Sequence, residues 1–201
     1  MTPLALAILF AGLSFAATRT SRALCRNLVP FSDGPRAAKP PTLAFVGLAA
    51  CLGGALGARH ASVQELALAG LLTAALVACC YSDIAFGVVP DSFTLLPLAA
   101  VIALSAYERD ARPALSALVV CVPFALAAYF SGGRGMGWGD VKLVTLAGAI
   151  LGSQSSFVAF SGACLVAAGT AFVCRRRSEP IAFVPYLAGS AALALTLPHS
   201  L

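Results

Sequence analysis

Leu66-Ala67-Leu68-Ala69-Gly70-Leu71-Leu72-Thr73-Ala74-Ala75-Leu76-Val77-Ala78-Cys79-Cys80-Tyr81-Ser82-Asp83 runs for 17 residues without a charge and then stops on a carboxylate. That length falls within the roughly 17–25 apolar residues a membrane-spanning helix requires. Charged residues delimit further uncharged intervals at 1–18, 40–58, 92–107, 113–133, 143–174 and 180–201. The 143–174 interval is too long for one helix, and Gly152-Ser153-Gln154-Ser155-Ser156 divides it in two. Eight spans are therefore expected: an all-α, polytopic membrane helix bundle. Composition agrees, with 60% hydrophobic and 10% charged residues, against about 45–50% and about 25% in soluble domains. Mean hydropathy is +0.92. Such a chain is not a secreted enzyme, a disordered tail or a soluble nucleic-acid binder.

The net charge of +5 is unevenly placed. If the loops alternate sides, one side carries Arg19, Arg22, Arg26, Arg36, Lys39, Arg134, Lys142 and Arg175–Arg177, while the other carries Arg59, Arg109 and Arg112. Ten against three makes the first side cytoplasmic and puts both termini outside. A basic segment on that face also suits anionic headgroups. The first interval lacks a basic leader segment and reads as a retained span. Two regions are expected: 1–41, the first span with a short basic loop, and 42–201, the remaining core. The 18–41 loop is too short to fold a core of its own.

Seven cysteines include no CxxC pair, and six of them fall inside or at the end of apolar intervals, where Cys is a small hydrophobe. His60 and His199 are isolated. No metal site and no cofactor is expected, so function must reside in polar groups at the rims of the bundle.

Two short stretches hold such groups. In Ser82-Asp83-Ile84-Ala85-Phe86-Gly87-Val88-Val89-Pro90-Asp91, Asp83 ends an apolar interval far in sequence from any basic residue. A carboxylate at a membrane boundary is expensive if it is sunk, and its plain alternative is a solvated turn residue. Asp91 follows Pro90 and precedes an apolar run, the position of a helix N-cap. The second stretch, Ser131-Gly132-Gly133-Arg134-Gly135-Met136-Gly137-Trp138-Gly139-Asp140-Val141-Lys142, delivers Asp140 to the start of a helix. From Val141 to Gly152 that helix would be about 18 Å long, too short for a hydrocarbon core of about 30 Å. Asp140 is either a capping residue on a glycine hinge or a carboxylate in a water-lined recess. The topology argument, which uses no aspartate, puts both stretches on the cytoplasmic rim. Two carboxylates on one rim can form an aspartic dyad, in which one keeps its proton while the other acts as base.

These residues resemble the type IV prepilin peptidase family, the leader peptidases of type IV pili and related secretion systems. Asp83, Pro90 seven residues on, Asp91 and Thr94 match its first aspartate segment, and Gly137-Trp138-Gly139-Asp140-Val141-Lys142-Leu143 matches its G-x-G-D-x-K segment. Pro180-Ile181-Ala182-Phe183-Val184-Pro185-Tyr186-Leu187-Ala188-Gly189 is similar to its final-helix segment, with some substitutions. The resemblance covers about residues 66–201. It implies a GxGD-type aspartic protease with Asp83 and Asp140 as the catalytic pair and Pro90, Asp91, Gly137, Gly139 and Lys142 in support. It implies substrates that are prepilins or pseudopilins, cut after a Gly between a leader and an apolar helix, at the cytoplasmic face of a bacterial inner membrane. Larger members carry paired CxxC zinc motifs in the first loop and methylate the trimmed product; here that loop holds only Cys25, so methyl transfer is not expected. The competing reading is a non-enzymatic membrane protein, either a small transporter or an assembly scaffold. Against a transporter, the middles of the intervals are free of charge, whereas transporters place ionisable groups near the midplane.

Overall fold

The computed structural model describes residues 2–28, 42–59, 62–131, 136–173 and 183–196. Among them are eight α-helices, one 3-10 turn and no strand. The 29–41 segment, His60, Gly132–Gly135, Cys174, Arg175–Arg177, Pro180–Ala182 and His199 lie outside the described residues. Helix α1 is Pro3–Leu28, α2 Thr42–Ala58, α3 Val63–Phe86, α4 Leu95–Glu108, α5 Arg112–Phe130, α6 Trp138–Leu151, α7 Ser153–Val173 and α8 Val184–Thr196; the 3-10 turn is Asp91–Phe93. By length and composition, α1, α3, α5, and α4 with the turn before it, are long and apolar enough to cross a membrane. The all-helical architecture matches the expected bundle. At about 1.5 Å per residue, α2, α6 and α8 reach only roughly 26, 21 and 20 Å.

The chain forms two compact units, residues 1–93 with 195–201, and residues 94–194. In the first, α1 packs on both α2 and α3. The approach to α2 depends on Gly53 and Gly57, one helical turn apart. A Cβ on Gly53 would sit 2.5 Å from the Leu6 carbonyl oxygen, and one on Gly57 would sit 2.8 Å from the Pro3 Cα. Small residues four apart let backbones meet this closely where lipid offers no hydrophobic drive for helices to associate. Toward α3, the buried Ser21 hydroxyl donates to the Ala78 carbonyl at 2.8 Å, and Ala17, Val77 and Ala78 pack with Phe45, Ala74 and Phe93. Helix α3 opens with a reciprocal cap. The Glu65 amide donates to Ser62 Oγ at 3.2 Å and the Ser62 amide to Glu65 Oε2 at 2.7 Å. Arg59 Nη1 donates to the Leu195 carbonyl at 3.0 Å.

In the second unit α6 is the enclosed element: Val141, Leu143–Ala149 and Leu151 are all buried. It packs on α4, α5 and α7. Its crossing with α5 is close, because a Cβ on Gly148 would lie 3.0 Å from Val120 Cβ. Phe124 of α5 stacks with Phe157 and Phe160 of α7, with centroids 5.9 and 4.1 Å apart, and Phe160 continues to Phe183 at 5.5 Å. The Thr170 hydroxyl donates to Tyr186 Oη at 3.0 Å.

Three boundaries differ from expectation. The division of the 143–174 interval is made by Gly152 alone, at φ 82° and ψ 162°, and Ser153–Ser156 already form the first turn of α7. Only glycine occupies that backbone region without strain. Helix α6 begins three residues early, at Trp138. Asp91 heads the 3-10 turn instead of capping an α-helix, and α4 starts at Leu95 with Thr94 in the N-cap position. Pro97 explains that offset. Its ring clashes with the carbonyl four residues back, at Phe93, so α-helix cannot extend upstream of Thr94, while its missing N–H is harmless in a first turn.

Candidate active site

In the first unit, Asp83 lies in the last turn of α3, half-buried. Ser82, beside it, is wholly buried and donates its hydroxyl to the Cys79 carbonyl at 3.0 Å. The helix ends because Gly87 enters the left-handed region (φ 67°, ψ 25°), and its amide donates to the Asp83 carbonyl at 2.9 Å. A left-handed glycine at a helix end is a common stop, and here it closes the turn that carries the carboxylate. Asp83 is thus part of a helix and not a residue on a solvated turn. Pro90 is buried, Asp91 is exposed, and the Pro90 carbonyl accepts from the Phe93 amide at 3.1 Å. Thr94, the final residue of this segment and the first of the second unit, is fully buried.

In the second unit, Asp140 is the third residue of α6 and is half-buried. The Gly137 carbonyl accepts from the amides of Asp140 and Val141 at 3.1 and 3.3 Å, and the Gly137 amide donates to Asp140 Oδ2 at 3.3 Å. This is half of a capping box: the carboxylate returns to the N-cap amide, but glycine has no side chain with which to reciprocate. The Gly137 backbone (φ −76°, ψ 148°) is open to any residue, and a Cβ there would meet Asp140 Oδ2 at 3.4 Å, an ordinary contact. Gly139 follows Trp138 in the first turn of α6. Asp140 shares its helix face with the buried Leu143, Val144 and Ala147. Lys142, two residues on, lies about 200° around the helix from Asp140 and is half-buried.

Within each unit the structure therefore links Asp83 to Gly87 and Asp140 to Gly137. Gly87 is the residue sequence reasoning passed over. Its signal was a glycine four positions after Asp83, at the point where the apolar run gives out. The environment suits proton chemistry: each carboxylate is partly withdrawn from solvent at a helix end. Among the described residues no group of three or more His, Cys, Asp or Glu side chains is placed to hold a metal ion.

A family model, that of the type IV leader peptidase family, matches residues 70–172, half of the chain. The matched range encloses Asp83, Pro90, Asp91, Thr94 and the Gly137–Leu143 segment, and it ends before Phe183. No curated protein and no solved structure matches the chain.

Proposed function

The chain belongs to the type IV leader peptidase family, and on that premise we propose that it is an aspartic endopeptidase with Asp83 and Asp140 as its two catalytic carboxyl groups. Membership makes it a membrane protease. The observation that supports the finer reading is that, of the three half-buried aspartates in the matched range, Asp83 and Asp140 lie in the two aspartate segments at helix termini, whereas Asp110 is taken up by the Arg112 amide and guanidinium at the start of α5. In this mechanism one carboxylate takes a proton from water as the water oxygen attacks the scissile carbonyl. The other, protonated, gives its proton to the carbonyl oxygen. Collapse of the tetrahedral intermediate breaks the C–N bond, and a proton passes to the leaving amine. Two such groups working as a pair share one proton, because like charges close together do not both ionise.

The substrate is a prepilin or pseudopilin with a leader, a Gly and an apolar helix, cut after the Gly at the cytoplasmic face of a bacterial inner membrane. Pro90, Asp91, Gly137, Gly139 and Lys142 shape the two aspartate segments. The alternation of loops is supported by the Arg59 bond to the Leu195 carbonyl, since the charge-derived topology puts both positions on one side. The chain trims its substrate without methylating it.

The test is direct. Purified protein in lipid is given a synthetic peptide with a basic leader, a Gly and an apolar segment, with S-adenosylmethionine present, and the product is read by mass spectrometry. The expected product starts immediately after the Gly, carries no added methyl group and forms equally well with a chelator present. An intact peptide, or cleavage that survives loss of both carboxylates, overturns the reading.

A further inference from the structure

Trp138 is the chain's single tryptophan. It opens α6 and is 51% exposed, and Asp140 follows about 3 Å further along the helix axis. Gly148 of α6 faces Ser116 and Val120 of α5. The two helices pack closely and are joined by the short 131–137 connection, so they run antiparallel. Ten residues back along α6 from Gly148 is Trp138, and ten residues forward along α5 from Ser116 and Val120 are Leu126 and Phe130. Trp138 is therefore level with the end of α5, where Tyr129 and Phe130 are 71% and 80% exposed.

That end continues a lipid-facing stripe. Leu118, Val122 and Leu126 are exposed at helical spacing along α5, a helix long and apolar enough to span a membrane, and the stripe finishes on Tyr129 and Phe130. Aliphatic side chains along the span that give way to Tyr, Phe and Trp at its end are the pattern of a hydrocarbon core meeting headgroups. Indole suits that boundary, with an apolar ring and one N–H that needs a partner.

We propose that Trp138 is a positioning residue: anchored at the boundary between acyl chains and headgroups, it fixes the depth of the α6 N-terminus and with it the depth of Asp140. Enclosed α6 has little lipid contact along its length, so the exposed ring at its first residue is the point at which the bilayer grips it. The proposal rests on Asp140 being catalytic, but its spectroscopic test does not.

The single indole makes the wild-type protein its own probe. In bilayers doped with nitroxide lipids, Trp138 fluorescence is expected to be quenched most by a nitroxide near the headgroup and weakly by one at the acyl terminus or by aqueous iodide. Strongest quenching by either of the latter overturns the proposal. In activity, Trp138→Tyr is expected to stay near wild type. Trp138→Gln is expected to lower kcat about fivefold with KM little changed, and to shift the bilayer thickness at which activity peaks. A Gln variant with wild-type kcat and thickness dependence overturns it. So does equal loss in both variants together with a lowered thermal midpoint, which marks a packing role. An active Asp140→Asn variant removes the catalytic premise whatever the quenching shows.

Discussion

The amide of Gly137 and Oδ2 of Asp140 lie 3.3 Å apart, so a carboxylate read as catalytic also closes the first turn of its own helix. The two roles make different demands. Capping needs only an acceptor oxygen, whereas catalysis needs a group that cycles a proton.

Asp140→Asn is accordingly expected to abolish cleavage while leaving the thermal midpoint nearly unchanged, because the amide oxygen still accepts from Gly137. Asp140→Ala is expected to abolish cleavage and also to lose about 1 kcal/mol of stability, as the turn loses its acceptor and the helix N-terminus its negative charge. Peptide cleavage and thermal unfolding of the two variants in the same lipid measure the difference. Asp83→Asn is expected to be equally inactive and folded.

Asp91→Asn is expected to keep most of its activity. Asp91 is an exposed residue at the head of a 3-10 turn, and an amide replaces it there without burying a charge or leaving a cavity. Loss of cleavage comparable to the Asp83 variant would place Asp91 among the reacting groups.

Glycine positions separate backbone demand from side-chain space. Gly87→Ala forces a Cβ into the left-handed region and is expected to cost about 1–2 kcal/mol and to lower activity through the turn that carries Asp83. Gly137→Ala is expected to be mild, since its φ is ordinary and the added Cβ would lie 3.4 Å from Oδ2. Comparing kcat and thermal midpoint for the two tests this order.

Gly53→Ala is expected to destabilise the first unit by about 1–3 kcal/mol, the range for overpacking a tight contact, because its Cβ would press on the Leu6 carbonyl and Phe10. Gly47→Ala, in the same helix with open space around it, is expected to be neutral or stabilising by up to about 1 kcal/mol. Thermal unfolding in detergent distinguishes them.

Charge punctuation made the helices legible. Glu65 and Asp83 bracket α3, and Arg112 opens α5, because lipid-crossing segments exclude ionised side chains and leave them at the ends. The aspartate segments were legible for the same reason, as carboxylates stranded at the ends of apolar runs. Helix ends set by backbone geometry were harder to read. Gly152 stops α6 by its dihedral angles alone, while the polar residues after it looked like linker and are helix. Asp91 after Pro90 had the chemistry of a cap, but Pro97 decided where α4 begins, through a steric clash with a carbonyl that no local propensity registers. The partition after Phe93 leaves no compositional mark, since apolar sequence on either side of it is alike and only tertiary packing distinguishes the two units.

The enclosure of α6 bears on how the protein is made. A segment of 14 residues carrying Asp140 and Lys142 in its first five positions offers the insertion machinery little apolar length, against about 20 residues for an independent span. Helix α5 precedes it, α7 follows across a single glycine, and both pack on it, so α6 is expected to enter the membrane together with its neighbours. Stable placement of α6 is therefore expected to require α7, and a nascent chain halted before α7 is expected to leave α6 accessible to labelling from water.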